Sequence, residues 1–403
     1  MTVAPTFPFT SPRSVEAFAV DDRSAQIVWR GLGAGTVVAR IDDRMVPLGD
    51  GRRPGAAWLT ELMPGRDHRI VVSVDDRPVR TLRLRTEPCL GAGPTAKIAT
   101  IGDIHLGEQG FGLVKRMNEP RSSQPYPLRC ALAAIDEALA WGAELIVIKG
   151  DITDDGRAEQ WAQLDLLLER ITVPVVAIPG NHDVIGKHHS LDATEQLRSR
   201  GLFPSPVQIL DDATARVVVF DSTVAGHGFG RFGPLADELE ATVDVDRPVL
   251  MFTHHHLQTT TLPRFWPIGA TRLDGYGTLD RLLDVNPDIF ISSGHSHRSR
   301  VGHHRSAVVT EVGSVKDHPG VWGSYELTRT GIRQVGRRVA RPDCIGWTER
   351  THAVAGGVWG RWSPGRIDDR CVTHEWTKPR PEAIPARLTG TGLTGPGQPS
   401  PNR

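Results

Sequence analysis

The residues of this chain that can do chemistry fall into five short clusters: Gly102-Asp103-Ile104-His105, Gly150-Asp151, Gly180-Asn181-His182-Asp183, His254-His255-His256 and Gly294-His295-Ser296-His297. They offer carboxylate, amide and imidazole donors and no cysteine. Such a nitrogen and oxygen set suits borderline divalent cations, and it is large enough for two of them. The chemistry expected is that of a two-metal site.

Each cluster follows an apolar, β-branched run: Lys97–Ile101, Glu144–Ile148, Val173–Ile178, Val249–Phe252 and Asp288–Ser292. Runs of this kind read as buried strands of a sheet covered on both faces. Strands of one sheet gather distant residues at a single edge, where ligands bind in open α/β folds. Between them, Leu128–Trp141 and Glu159–Arg170 carry helical periodicity, with Gly142 as a C-terminal cap. Ahead of this alternation, residues 14–88 show short alternating segments such as Ala25–Trp29, Gly35–Ile41, Arg69–Val74 and Val79–Arg85, the pattern of an all-β sandwich. A sandwich of that size can bury its own core, so residues 1–92 are expected to be separable.

Taken in order, the clusters resemble the pattern of the calcineurin-like metallophosphoesterase family: Asp-x-His, Gly-Asp, Gly-Asn-His-Asp, a His after a strand, then Gly-His-x-His, all within residues 98–297. The resemblance implies an α/β catalytic domain over 96–340, built as a β-sandwich flanked by helices, with two divalent ions of manganese, iron or zinc. It assigns Asp103, His105 and His297 to one ion, Asn181, His254 and His295 to the other, and Asp151 to the bridge between them. A shared carboxylate offsets the repulsion of two dications roughly 3.5–4 Å apart, and a water between them is deprotonated near neutral pH and poised to attack phosphorus. His254 is the family's choice among the three consecutive histidines, with His255 beside it. His182 stands at the proton-donor position, and Asp154 where a carboxylate orients that donor. Asp183 either shares this work or caps the segment that follows. Trp266, close behind His254, either packs its own loop or stacks on a substrate base.

In the N-terminal region, Leu62-Met63-Pro64-Gly65 resembles the corner of fibronectin type III domains, with Trp29 at their core tryptophan and His68 where a tyrosine is usual. Such a module implies a protein partner. Within the wider family, purple acid phosphatases need a tyrosine where this chain has Asp154. Phosphoprotein phosphatases place an arginine where it has Asp155, a carboxylate that repels a monoester dianion. Gly102-Asp103-Ile104-His105-Leu106 with Gly-Asn-His-Asp is instead similar to bacterial class III cyclic-nucleotide and glycerophosphodiester phosphodiesterases. The implied substrate is a small phosphodiester. A monoesterase or nuclease of the same family is the alternative enzyme, and a non-catalytic binding protein the alternative of another class.

Composition narrows the field further. Lys+Arg and Asp+Glu are equal at 47 each, so no global charge draws the chain to nucleic acid. Met1–Thr10 lacks a basic and apolar leader, and no stretch approaches the ~20 apolar residues of a membrane span, so a cytoplasmic location is expected. Reduced thiols are then expected at Cys89, Cys130, Cys344 and Cys371, with a Cys344–Cys371 disulfide the other option. Residues 341–377 form an extension without an assigned role, and the Pro/Gly/Thr-rich 378–403 is expected to be a disordered tail.

Overall fold

Turn residues at short intervals break the N-terminal region into seven strands: β1 (Ser14–Val20), β2 (Ala25–Arg30), β3 (Thr36–Ile41), β4 (Arg44–Asp50), β5 (Gly55–Leu59), β6 (Asp67–Val74) and β7 (Arg77–Arg85). The computed structural model describes residues 14–91, 96–112, 117–119, 124–186, 189–211, 214–259, 267–377 and 389–390. Two antiparallel sheets form, in the orders β1-β2-β5 and β4-β3-β6-β7. Alternate residues, among them Ile27, Trp29, Val37, Ala39, Ile70 and Val72, close a core between them. At the corner before β6, the His68 ring nitrogen Nε2 bonds the main-chain oxygen of Met63 at 3.0 Å.

From Ala96 the chain alternates strand and helix: β8 (Ala96–Ile101), β9 (Gly110–Phe111), β10 (Met117–Asn118), α1 (Tyr126–Trp141), β11 (Leu145–Lys149), α2 (Ala158–Leu168), β12 (Val175–Ile178), α3 (Asn181–Val184), α4 (Ala193–Ser199), β13 (Val207–Asp211), β14 (Arg216–Phe220) and α5 (Ala236–Val243). It continues with β15 (Val249–Phe252), α6 (Gly277–Val285), β16 (Ile289–Ser293), β17 (Arg300–His304), β18 (Ala307–Glu311), β19 (Val321–Leu327), β20 (Gly331–Arg338), α7 (Pro342–Thr351), α8 (Val358–Trp362), α9 (Ile367–Arg370), β21 (Cys371–Glu375) and β22 (Thr389–Gly390). The strands make a six-stranded sheet, β12-β11-β8-β19-β20-β21, and a seven-stranded sheet, β17-β18-β16-β15-β14-β13-β22. Period-two alternation explains why their sequences are apolar throughout. Val217, Val219, Leu250 and Phe252 enter the main core, while Val218, Phe220, Val249 and Met251 pack under α5 and α6. Helix α1 ends at Gly142, whose φ of 92° needs a residue without Cβ.

Two expectations about organisation change. The sandwich is not an independent bead, because the outer face of β1-β2-β5 contributes Phe18, Val28 and Ala56 to the main core. Gln26 and Arg338 exchange two hydrogen bonds, 2.7 and 2.9 Å long, and Asp22 pairs with Arg333 at 2.9 Å. The 341–377 segment is likewise structural: it supplies α7, α8, α9 and the edge strand β21, and Arg370 donates to the Phe18 carbonyl at 2.6 Å. A period-two reading detects each sandwich face but not a second core on its outside. A fragment starting at Ala96 is therefore expected to lose soluble expression, while the full chain unfolds in urea as one transition. A soluble fragment with the full chain's midpoint would show that the units do not share a core.

Of the tail, 378–388 and 391–403 lie outside the described residues, and 389–390 pair with Leu210–Asp211 instead of standing apart. Cys89, Cys130, Cys344 and Cys371 are free thiols. Among the described residues no helix is long and apolar enough to cross a membrane.

Candidate metal centre

Strands β8, β11 and β12 of one sheet and β15 and β16 of the other deliver the five clusters at their C-terminal ends. The loops that follow are unusual in their backbone. Asp103, His105, Asp151, His295 and His297 all have positive φ, between 47° and 67°. Each such residue costs about 1–3 kcal/mol unless its surroundings hold it there. Here the loops hold one another: Asp103 N donates to Gly150 O (3.1 Å), His105 N to Asp151 O (2.8 Å) and His295 N to Asp103 Oδ1 (2.9 Å). Gly180 lies so close to the Asp151 main chain that a Cβ would collide with it.

The side chains then converge in two groups. In the first, His105 Nε2 lies 3.2 Å from His297 Nε2, and His297 Nε2 lies 3.6 Å from Asp103 Oδ1. In the second, His254 Nε2 lies 3.1 Å from Asn181 Oδ1. Asp151 stands between them: Oδ2 is 3.5 Å from His105 Nε2, and Oδ1 is 3.3 Å from His254 Nε2. Donors bound to one ion at ~2.0–2.2 Å are separated by about 3–3.5 Å, so these spacings fit coordination. Ring orientation agrees. His297 Nδ1 is held by Asp317 Oδ2 (2.7 Å) and His254 Nδ1 by the Lys149 carbonyl (2.9 Å), which leaves Nε2 of each facing the site. His295 bonds the Ile268 carbonyl through Nε2 (3.2 Å), leaving its Nδ1 buried without a partner, as is Asp103 Oδ2.

The protonation states of His105, His295 and Asp151 fit as well. Burial, with Lys316 and neighbouring histidines at His105 and neighbouring histidines at His295, pushes both well below the ordinary imidazole range, so both are neutral donors. For Asp151 burial works upward, but His254, His182 and the His182 N–H outweigh it and keep the carboxylate ionised. The residues present therefore fit a pair of divalent ions.

Several assignments need correcting. The His182 ring, about a third exposed, is held through Nδ1 by the main-chain carbonyl of Asp154 at 2.8 Å. The Asp154 carboxylate is 3.8 Å from it, and equally 3.8 Å from His105 Nδ1, too far to be a hydrogen bond to either. Asp183 does not reach His182. It accepts from Gly180 N, Ile152 N, and the Thr153 N and Oγ1, clamping the β11 and β12 loops together. Asp155 is no free repulsive charge, being bonded to Arg157 Nε (3.1 Å) and Gln160 Nε2 (2.6 Å). His255 turns Nδ1 to Ser222 Oγ at 2.9 Å, while its Nε2 lies in the His254–His295 group without a hydrogen-bond partner. Trp266 lies outside the described residues.

Two supporting residues went unseen in the sequence. Lys149 contributes its carbonyl to His254, and its buried ammonium donates to Ser293 O at 2.9 Å. Asp317 orients His297 and pairs with buried Lys316, itself bound to Glu108 at 2.6 Å. The only signal was a charged pair, Lys316-Asp317, in a short segment bounded by Gly313 and Gly320. Partners of this kind usually govern 10–100-fold in metal affinity. Asp317→Ala is expected to weaken metal retention by about that factor in a chelator competition, with Asp317→Asn intermediate.

Residues 96–299, just over half of the chain, match the calcineurin-like phosphoesterase family. The chain is 26% identical over 166 residues to a protein of Xenorhabdus bovienii named a probable cyclic nucleotide phosphodiesterase, covering 40% of this chain and 64% of that one. It is 28% identical over 241 residues to a glycerophosphodiester phosphodiesterase of Enterobacter lignolyticus, covering 54% and 79%. A dimetal phosphatase from Danio rerio superposes with a TM-score of 0.42 at 14% identity, over 61% of this chain and 96% of that one. With the ordered ligand clusters, the two-sheet architecture and the family match over residues 96–299 in agreement, the protein is a member of the calcineurin-like phosphoesterase family.

Proposed function

We propose that the protein is a dinuclear-metal phosphodiesterase acting on a small diester of the cyclic-nucleotide or glycerophosphodiester class. The observation that carries the reading is Asp151, which turns one carboxylate oxygen toward each of two donor groups. Asp103, His105 and His297 would hold one ion and Asn181, His254 and His295 the other. Bound there, the ions supply an activated nucleophile and neutralise charge on phosphorus. The chain's own part is to orient those ligands and to present His182 at the rim as proton donor. A diester carries one negative charge, and two lysines beside the site are already engaged: Lys149 with Ser292 and Ser293, Lys316 with Glu108 and Asp317. The names of the relatives above support the same substrate class. Residues 14–88 we read as a fibronectin type III-like module; the strand orders, the Leu62–Gly65 corner and the His68 bond support this.

The test is a panel with added manganese comprising bis-p-nitrophenyl phosphate, cyclic nucleotides, glycerophosphodiesters and p-nitrophenyl phosphate. We expect kcat/KM for at least one diester to exceed that for the monoester by about tenfold or more. Faster monoester turnover would overturn the diester reading.

A further inference from the structure

Away from the metal centre, β1 and β2 of the sandwich meet the end of β20 and helices α7–α9 around a cavity of about 520 Å³. Five arginines line it (Arg30, Arg338, Arg361, Arg366 and Arg370) against two carboxylates, Glu16 and Glu349. Glu349 is shared by Arg338 Nη2 (2.6 Å) and Arg30 Nη1 (3.2 Å). Burial pushes this carboxyl up, but Arg338, His318 and Arg30 outweigh it and hold it down at about 2. Arg370 donates only to carbonyls, those of Phe18, Pro364 and Gly365. Arg361 and Arg366 are exposed and make no ion pair among the described residues. The wall thus carries five positive charges and two negative ones. Two buried polar atoms of this wall, Arg338 Nε and His318 Nδ1, lack a hydrogen-bond partner, in residues only 4% and 6% exposed. Val28, Trp29 and Ile367 give the cavity one apolar side.

We propose that this cavity binds a phosphomonoester dianion of nucleotide size. Arginine forks recognise phosphate oxygens bidentately, and an excess of three positive charges favours a dianion over a singly charged diester. The volume lies within the range of small-molecule sites, and the apolar side suits a base or other organic group. The chain's own ends are poor occupants. Residues 1–13 contain no Asp or Glu, and 378–403 contain Glu382 alone against Lys378, Arg380, Arg387 and Arg403. His318 of the wall adjoins Asp317, whose carboxylate holds His297, so one peptide unit separates the cavity from the metal centre. A phosphomonoester is also what diester hydrolysis yields. Resting on the function proposed above, the cavity is a site where product is sensed.

Equilibrium dialysis of the metal-loaded full-length protein with labelled adenosine 5′-monophosphate tests this. Two nucleotides per chain are expected, one at each site. Arg361→Gln with Arg366→Gln should weaken the cavity site about 10- to 100-fold and leave one. Asp151→Asn should instead remove the metal-centre site and leave the cavity's. Both arginines are exposed, and unchanged metal content and circular dichroism would certify the double variant. One nucleotide bound to wild type, lost in the arginine variant and kept in Asp151→Asn, would still support the cavity while counting against nucleotide binding at the metals. Unchanged binding by the arginine variant, or a single site that only Asp151→Asn abolishes, would overturn it. Competition by uncharged adenosine at equal concentration would overturn the dianion class.

Discussion

Asp151→Asn should empty both metal positions together and slow diester hydrolysis by at least about 10³-fold, whereas Asp103→Asn should empty mainly one. The asymmetry follows from where the oxygens point. Asp151 Oδ2 faces His105 and Oδ1 faces His254, so neutralising this one side chain removes an anionic donor from both groups. Asp103 offers its carboxylate to the His105–His297 group, with Oδ1 3.6 Å from His297 Nε2. Losing the shared charge also restores repulsion between neighbouring dications, and several kcal/mol of transition-state stabilisation go with them. A second effect adds to this, because Asp151 Oδ1 also accepts the His182 N–H at 2.8 Å and so ties the proton-donor segment to the centre. Elemental analysis of the purified variants reads the first effect directly. If Asp151→Asn keeps two metals per chain and full activity, the carboxylate is not shared.

His182→Ala is expected to slow an alkyl phosphodiester by about 10²–10⁴-fold and a p-nitrophenyl diester far less. An alkoxide cannot leave without a proton, but p-nitrophenolate can. The ring bonds the Asp154 carbonyl through Nδ1, so Nε2 is the nitrogen free to face a leaving group. Asp154→Asn preserves the carbonyl, and its cost should be no more than about tenfold. Equal losses on both substrates for His182→Ala would assign the histidine to phosphate positioning instead of proton transfer.

The strands that carry the site were legible because each is apolar on both faces and stops at a polar, glycine-bounded cluster. The ligand types were legible because Asp, Asn and His in that order have few other uses at strand ends. The support was not. Asp317 lies twenty positions beyond His297 and reaches it through a turn that no periodicity encodes. Asp154 is a subtler case: its position implies a carboxylate role, yet the main chain does the orienting, and a sequence does not distinguish a residue's side chain from its carbonyl. The merged core failed for a different reason. Val28 sits at a period-two position that alternates correctly for a sandwich, Phe18 sits at the bulge of β1, and nothing local reveals that the opposite face is also dry.

The left-handed backbone at Asp103, His105, Asp151, His295 and His297 has a consequence for how this protein can change. Among residues with a side chain, asparagine, aspartate and histidine are those that adopt this conformation most readily, and β-branched residues those that resist it most. They are also short polar residues able to bind a cation. A random substitution at these five positions therefore meets two filters, and the first acts on folding before any chemistry is tried. The variants that still fold are drawn mostly from aspartate, asparagine, histidine and glycine. Drift at this centre is thereby steered toward exchanging one ligand for another, or toward losing a single donor to glycine, while a valine or isoleucine is rejected by the turn itself.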